Sequence, residues 1–352
     1  MTAALTPDAA AGATEPASRV AVIGPHILDV LGRPVEAIPA GQGSIRLTEI
    51  RATAAGTAAG TAIDLAKLGA RVSSFGALGT DLLAEVLLAA LASYGVDTRG
   101  LVRKSAAQTS ATILPIRPNG ERPALHVPGA TRLLELGDLD QARLAGFDAV
   151  LLGGPDALAG LSGDELGAVV AAARSGGALV TVDVLHPGSK RDFDRISAAL
   201  AGADWFWPNG DQLLALTGRT DLEQAVGDVL ALGTRGVAVT LGADGCIVTR
   251  PGGLTHVPAI AVDVVDTTGC GDAFDAGMLT GLLMGCDPVD AAWLGVACGS
   301  LVATGLGSDA GLTDLDQVLD FLGGASPEVS SRISARLASI STASISTGER
   351  VP

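Results

Sequence analysis

Val265-Asp-Thr-Thr-Gly-Cys-Gly-Asp-Ala-Phe-Asp-Ala-Gly277 runs directly into Met278-Leu-Thr-Gly-Leu-Leu283. The spacing predicts a turn at Gly269-Cys270-Gly271 that opens onto a helix over 271–284. Glycines let a backbone approach a ligand closely, and the first N–H groups of a helix have no partner inside it. Those donors and the helix dipole suit an anion, including a phosphoryl group in transit. Asp272 falls in the first turn beside this anion site. The dipole there favours its ionised form, and a carboxylate so placed can take the proton of an attacking hydroxyl. A Gly-Asp pair can also do no more than start a helix; the length of the whole stretch favours the chemical role.

Outward from this segment, short apolar runs alternate with helical patterns. Strands are predicted at 19–24, 72–75, 148–152, 178–183, 203–207 and 236–241. Helices are predicted at 57–68, 81–94, 163–175, 191–202, 221–232, 288–304 and 313–322. Apolar strands alternating with helices imply a mainly parallel sheet covered on both faces. Two extended stretches, 34–53 and 109–127, break the rhythm and are read as a small separate sheet. Residues 1–18 and the Ser-rich 325–352 are expected to be tails around a single domain at 19–324.

The chain has 352 residues, 48% of them apolar, which is enough for a substantial aliphatic core. Its net charge of −15 argues against a nucleic-acid or anionic-membrane partner, since both need a basic surface. Cys246, Cys270, Cys286 and Cys298 show no CxxC spacing, which suits free thiols in a reducing cytoplasm. Ala291 to Ser308 carries no charge, but its glycines suit a buried helix ending in a turn better than a membrane span.

Asp266-Thr-Thr-Gly-x-Gly-Asp-x-Phe-x-Ala-Gly277 resembles the C-terminal signature of the ribokinase-like (PfkB) sugar and nucleoside kinases. The family usually has alanine where Cys270 stands. No GxxxxGK[ST] occurs, so a Walker-type kinase is excluded. The resemblance, over about 19–323, implies a three-layer α/β/α fold with a small β lid, and ATP-dependent phosphorylation of a hydroxyl. In that reading Asp272 is the base, and Gly269, Cys270 and Gly271 supply the anion hole.

By the same likeness Asn209, Thr240, Gly242 and Gly245 would meet the nucleotide. Asn209 begins a segment similar to an Asn-x-x-Glu motif, with Gln212 in place of the glutamate linked to the magnesium shell. Asp29, Gly56 and Gly60 would form the acceptor site, although the family has Asn where Gly60 and Ile27 stand. Asp183 matches a recurrent strand-end aspartate. Asp266 and Thr268 lie where relatives often hold a monovalent cation, K+ here. The resemblance therefore implies Mg2+ with ATP, a sugar acceptor, and a homodimer through the lid. The alternatives are a nucleoside acceptor or a non-catalytic ligand-binding regulator on the same fold. Of the histidines, His26 and His186 fall at strand ends near the expected cleft, and Trp205 and Trp207 are read as packing.

Overall fold

Alternate residues of the first strand serve two different cores. Val20 and Val22 pack into one hydrophobic cluster, Ala21 and Ile23 into another. This is the two-sided burial that a parallel sheet between helix layers requires. The computed structural model describes residues 17–346, with side chains described as far as 339.

In chain order the strands are β1 Arg19–Ile23, β2 Ile27–Arg33, β3 Glu49–Ala55, β4 Arg71–Leu78, β5 Asp97–Arg103, β6 Ala111–Pro115 and β7 Leu125–Val127. Then come β8 Ala149–Gly153, β9 Leu179–Asp183, β10 Trp205–Phe206, β11 Gly236–Thr240, β12 Cys246–Arg250 and β13 Gly253–Val257. The helices are α1 Gly56–Lys67, α2 Leu82–Ser93, α3 Gln141–Leu144, α4 Gly163–Ser175, α5 Lys190–Gly202 and α6 Gly210–Thr217. They continue as α7 Leu222–Leu232, α8 Cys270–Leu283, α9 Pro288–Val302, α10 Leu315–Ala325 and α11 Pro327–Ser346.

Nine strands form the main sheet in the order β13-β12-β11-β10-β9-β8-β1-β4-β5. Its pairs are parallel from β5 through β11, and β12 and β13 are added antiparallel at one edge. One core cluster joins α1, α2, α8, α9 and α10, and the other joins α4, α5, α6 and α7. Each fully buried Val, Leu or Ile contributes about 1.5–3 kcal/mol, so this aliphatic core compensates for the scarcity of aromatics. Trp207 is buried in the first cluster, and the Trp205 ring fills the space left by the absent side chain of Gly236.

The uncharged run from Ala291 is explained by how α9 meets α8. A Cβ on Gly277 would lie 2.7 Å from Leu294 O, and one on Gly295 would lie 2.8 Å from the Phe274 ring. Glycines on both helices thus allow close backbone contact. No helix of the described residues is long and apolar enough to cross a membrane.

The second sheet has the order β3-β2-β6-β7. The sequence places its first strand within 34–53, whereas the pairing begins earlier, at Ile27, and 34–48 contains no strand. Register then fixes what the small sheet presents. Asp29 pairs with Thr53 and with Thr112, and Thr112 pairs with His126. These four residues form one rung, with their side chains on the same face. The neighbouring rung, Val30, Ala52, Ile113 and Leu125, shows its side chains on the opposite face.

The expected tail from 325 is instead α11. Val329 and Ile333 are spaced four apart and are buried in the first core cluster. Arg332 Nε donates to Asp290 Oδ2 at 2.9 Å, and Ser330 Oγ donates to Leu319 O at 2.9 Å. Serine content masked this apolar spacing. The expected N-terminal tail, except residues 17 and 18, lies outside the described residues.

Candidate active site

Helix N-termini locate the site. Among α1–α10, side chains cap every helix except α1 and α8, where only backbone carbonyls reach the first turn, Pro25 O at 3.3 Å from Ala58 N and Thr267 O at 3.4 Å from Cys270 N. These two helices pack on each other. A Cβ on Gly60 of α1 would lie 2.4 Å from Asp272 Oδ2, so the carboxylate rests on the bare face of α1.

Gly269 precedes α8 in the left-handed region at φ +82°, which glycine tolerates. A Cβ there would lie 2.5 Å from Ser308 Cα, and Ser308 Oγ in turn donates to Ala54 O at 2.9 Å. The glycine turn is thus braced against the small sheet. Cys270 follows, its thiol pushed up to about 12 by burial, so it stays protonated. Gly271 faces open space, with nothing within 4 Å of where a Cβ would stand. Its backbone is accessible to a ligand.

Asp272 departs from the sequence reading in one respect. Burial, helped by repulsion from Asp29, raises its carboxyl to about 7, with Arg122 opposing. Desolvation outweighs the helix dipole. A base whose pKa lies near the working pH remains well matched to proton abstraction. Asp29, on β2, is raised by burial to about 6, while the Thr112 hydroxyl and Arg122 pull the other way. Beside Asp272, Asp183 and Asp275 are hydrogen-bonded to each other, and burial raises both carboxyls. Two carboxyl groups side by side in a dry site both resist ionising.

Gly56 starts α1 at φ +85°, where a Cβ would lie 2.8 Å from Pro25 O. Asp29, Gly56, Gly60 and Asp272 are therefore brought to one place, between the small sheet and the starts of α1 and α8. The nucleotide candidates gather along the C-terminal edge of the main sheet. Asn209 forms a bridge with Thr240, and Gly242 and Gly245 follow in the turn between β11 and β12. Ligands of open α/β sheets bind at this edge.

Two of the residues named from the sequence have their polar groups engaged within the protein. Gln212 Oε1 accepts from Asn209 N at 2.8 Å, and its Nε2 donates to Val184 O at 2.9 Å, so its amide is occupied in capping α6. Asp266 closes its own loop: Oδ1 accepts from Thr268 N and Oγ1, and Oδ2 accepts from Gly307 N at 3.0 Å. His26 is buried, hydrogen-bonded to Gly24 O and held neutral by a pKa lowered to about 4, so it belongs to the packing. His186 is ion-paired with Asp156 at 2.9 Å. A separate cavity of about 770 Å³ beside residues 305–313 has charged walls that are paired internally, as Arg33–Glu49 and Arg51–Asp309.

Arg122 was missed. It stands between β6 and β7, and its Nε donates to Thr267 Oγ1 at 3.3 Å, directly before the anion hole. A single arginine beyond a Pro-Asn-Gly turn carries no sequence signal; only the folded sheet brings it to the site.

Comparisons with known proteins bear on the family and the fold. The model of the pfkB family of carbohydrate kinases matches residues 17–315. An ATP-dependent ribose-1-phosphate kinase of Halopiger xanaduensis is 31% identical over 288 residues, 82% of this chain and 93% of that protein. An aminoimidazole riboside kinase of Salmonella typhimurium is 32% identical over 287 residues, 76% of this chain and 87% of that one. Arabidopsis thaliana ribokinase complexed with ribose and ATP superposes with a TM-score of 0.74 at 25% identity, covering 87% of this chain and 99% of that one. The fold is ribokinase-like, and the chain belongs to the pfkB family of carbohydrate kinases, as a phosphotransferase whose acceptor is a hydroxyl.

Proposed function

We propose that this chain transfers the γ-phosphoryl group of ATP to a hydroxyl of a small sugar or sugar-like acceptor, with Asp272 as general base. One observation carries the reading: the Asp272 carboxylate lies in the first turn of a helix with no side-chain cap, against a glycine, and near enough to Asp29 to feel its charge. The acceptor oxygen forms a bond to the γ-phosphorus while the bond to the β–γ bridging oxygen breaks. ADP leaves with that oxygen, and the acceptor's proton passes to Asp272. Backbone N–H groups at 269–271 stabilise the charge on the phosphoryl oxygens. Asp29 accepts hydrogen bonds from acceptor hydroxyls, and Asn209, Thr240, Gly242 and Gly245 hold the nucleotide.

Mg2+ needs few protein ligands when phosphates supply the rest. One carboxyl is suitably placed: Asp183 ends β9 near enough to Asp272 to feel its charge. Once ionised, Asp183 would hold the ion's hydration shell, and the ion would neutralise phosphate charge.

The test is ADP release with a panel of pentoses, hexoses and nucleosides, followed by a pH profile on the best acceptor. Only the ionised form of Asp272 accepts a proton. The kcat/KM is therefore expected to rise about tenfold per pH unit below about 7 and to level off above it. A flat profile from about pH 5.5 to 8 would remove Asp272 as the base. Preference for a nucleoside would move the acceptor class while leaving the chemistry intact.

The outer face of the small sheet exposes Ile50, Ile113, Leu125 and Val127, and this apolar face fits a second copy of the chain. Light scattering is expected to show a dimer that Ile113→Lys with Leu125→Lys dissociates. A wild-type monomer at micromolar concentration contradicts that pairing.

A further inference from the structure

We propose that the acceptor carries an anionic substituent, a phosphate monoester or carboxylate, and that Arg122 is the residue that selects it. This rests on the reading of the cleft between Asp29 and Asp272 as the acceptor site. Arg122 is exposed, and among the described residues it forms no ion pair; its side-chain hydrogen bond goes to the Thr267 hydroxyl. Its charge nevertheless acts on Asp29, on Asp272 and on Cys270. The guanidinium therefore stands where the two cleft carboxylates and the start of α8 converge.

The Asp29 rung adds no second charge: His126, with Nδ1 3.1 Å from Thr112 Oγ1, is pushed by burial toward its neutral form, so Arg122 is the cation of this side of the site. A neutral sugar is satisfied by carboxylate acceptors and backbone groups and offers the guanidinium no charged partner of its own. An anionic substituent does, and the planar fork of arginine matches carboxylate and phosphate in two-point contact. The substituent is a spectator: a different oxygen of the acceptor attacks ATP.

The experiment compares wild type, Arg122→Gln and Arg122→Lys at saturating Mg2+ and ATP. Acceptors are ribose, ribose 1-phosphate, fructose and gluconate, and titration calorimetry of the same sugars without ATP runs alongside. In wild type an anionic acceptor is expected to exceed its neutral partner in kcat/KM. Arg122→Gln should shrink that ratio roughly 30-fold through KM, within the range of a charged hydrogen bond, and Arg122→Lys should restore part of it. Ribose 1-phosphate and gluconate separate phosphate from carboxylate.

A wild-type preference for the neutral sugars overturns the proposal. So does an equal loss of kcat on every acceptor in Arg122→Gln, which would assign the guanidinium to the phosphoryl group in transit. If no acceptor is turned over, the kinase reading fails separately and calorimetry decides this one. Arg122-dependent binding of an anionic sugar upholds the proposal, and its absence rejects it.

Discussion

Asp272→Asn is expected to lower kcat by about a thousandfold, within the range that general-base catalysis supplies. That factor corresponds to about 4 kcal/mol of transition-state stabilisation. Asparagine matches aspartate in shape, so the contact with Gly60 survives, but its amide cannot accept the hydroxyl proton. The substitution should not weaken the fold. Burial and repulsion from Asp29 already disfavour a charge at this position, and the neutral amide removes both costs. The melting temperature is therefore expected to be unchanged or higher, and the affinity for ATP, measured by calorimetry, close to wild type. A kcat near the wild-type value would show that another group receives the proton.

Gly60→Ala is the second large effect, expected to reduce kcat by about a hundredfold through displacement of the base alone. The added methyl would lie 2.4 Å from Asp272 Oδ2, 2.9 Å from its Cγ and 3.1 Å from its Cβ. No rotation of the methyl relieves this, so the carboxylate must leave its place. Backbone strain does not enter, because Gly60 is not among the glycines with positive φ. Alanine in a helix interior gains about 0.5–1 kcal/mol over glycine, which offsets part of the crowding. A near-normal melting curve with poor turnover is the expected pair of results. Full activity would mean that Asp272 works from a second rotamer clear of α1.

Much of the fold was legible because the main sheet obeys simple patterns. Ala149-Val-Leu-Leu152 and Val180-Thr-Val-Asp183 read as buried strands, and the structure has them there. What escaped the sequence depended on pairing across distance. Ile27 to Arg33 carries no strand prediction, yet hydrogen bonding to β3 and β6 makes it a central strand of the small sheet. Asp29 reads as a residue just past a core strand, and it is instead the third residue of β2. Cys246 to Val257 turns back on β11 as an antiparallel pair that the βα rhythm does not announce.

The site divides in the same way. Asp272 and its glycines are contiguous, so local chemistry suffices to single them out. The reason for Gly60 becomes visible only when α1 meets α8, because a glycine in a helix announces nothing about the carboxylate it makes room for. Arg122 and the Asp183–Asp275 pair belong to this second kind. Their roles come from neighbours far along the chain, and residue type alone does not reveal them.

The rung containing Asp29 has one more consequence. If Asp29 grips the acceptor as proposed, the gripping group belongs to the small sheet itself, so a guest touching Asp29 also anchors that sheet. A water molecule held at Asp272 alone would give that sheet no such anchor. Molecular length, more than nucleophilicity, would then decide whether ATP is spent on a sugar or wasted on solvent.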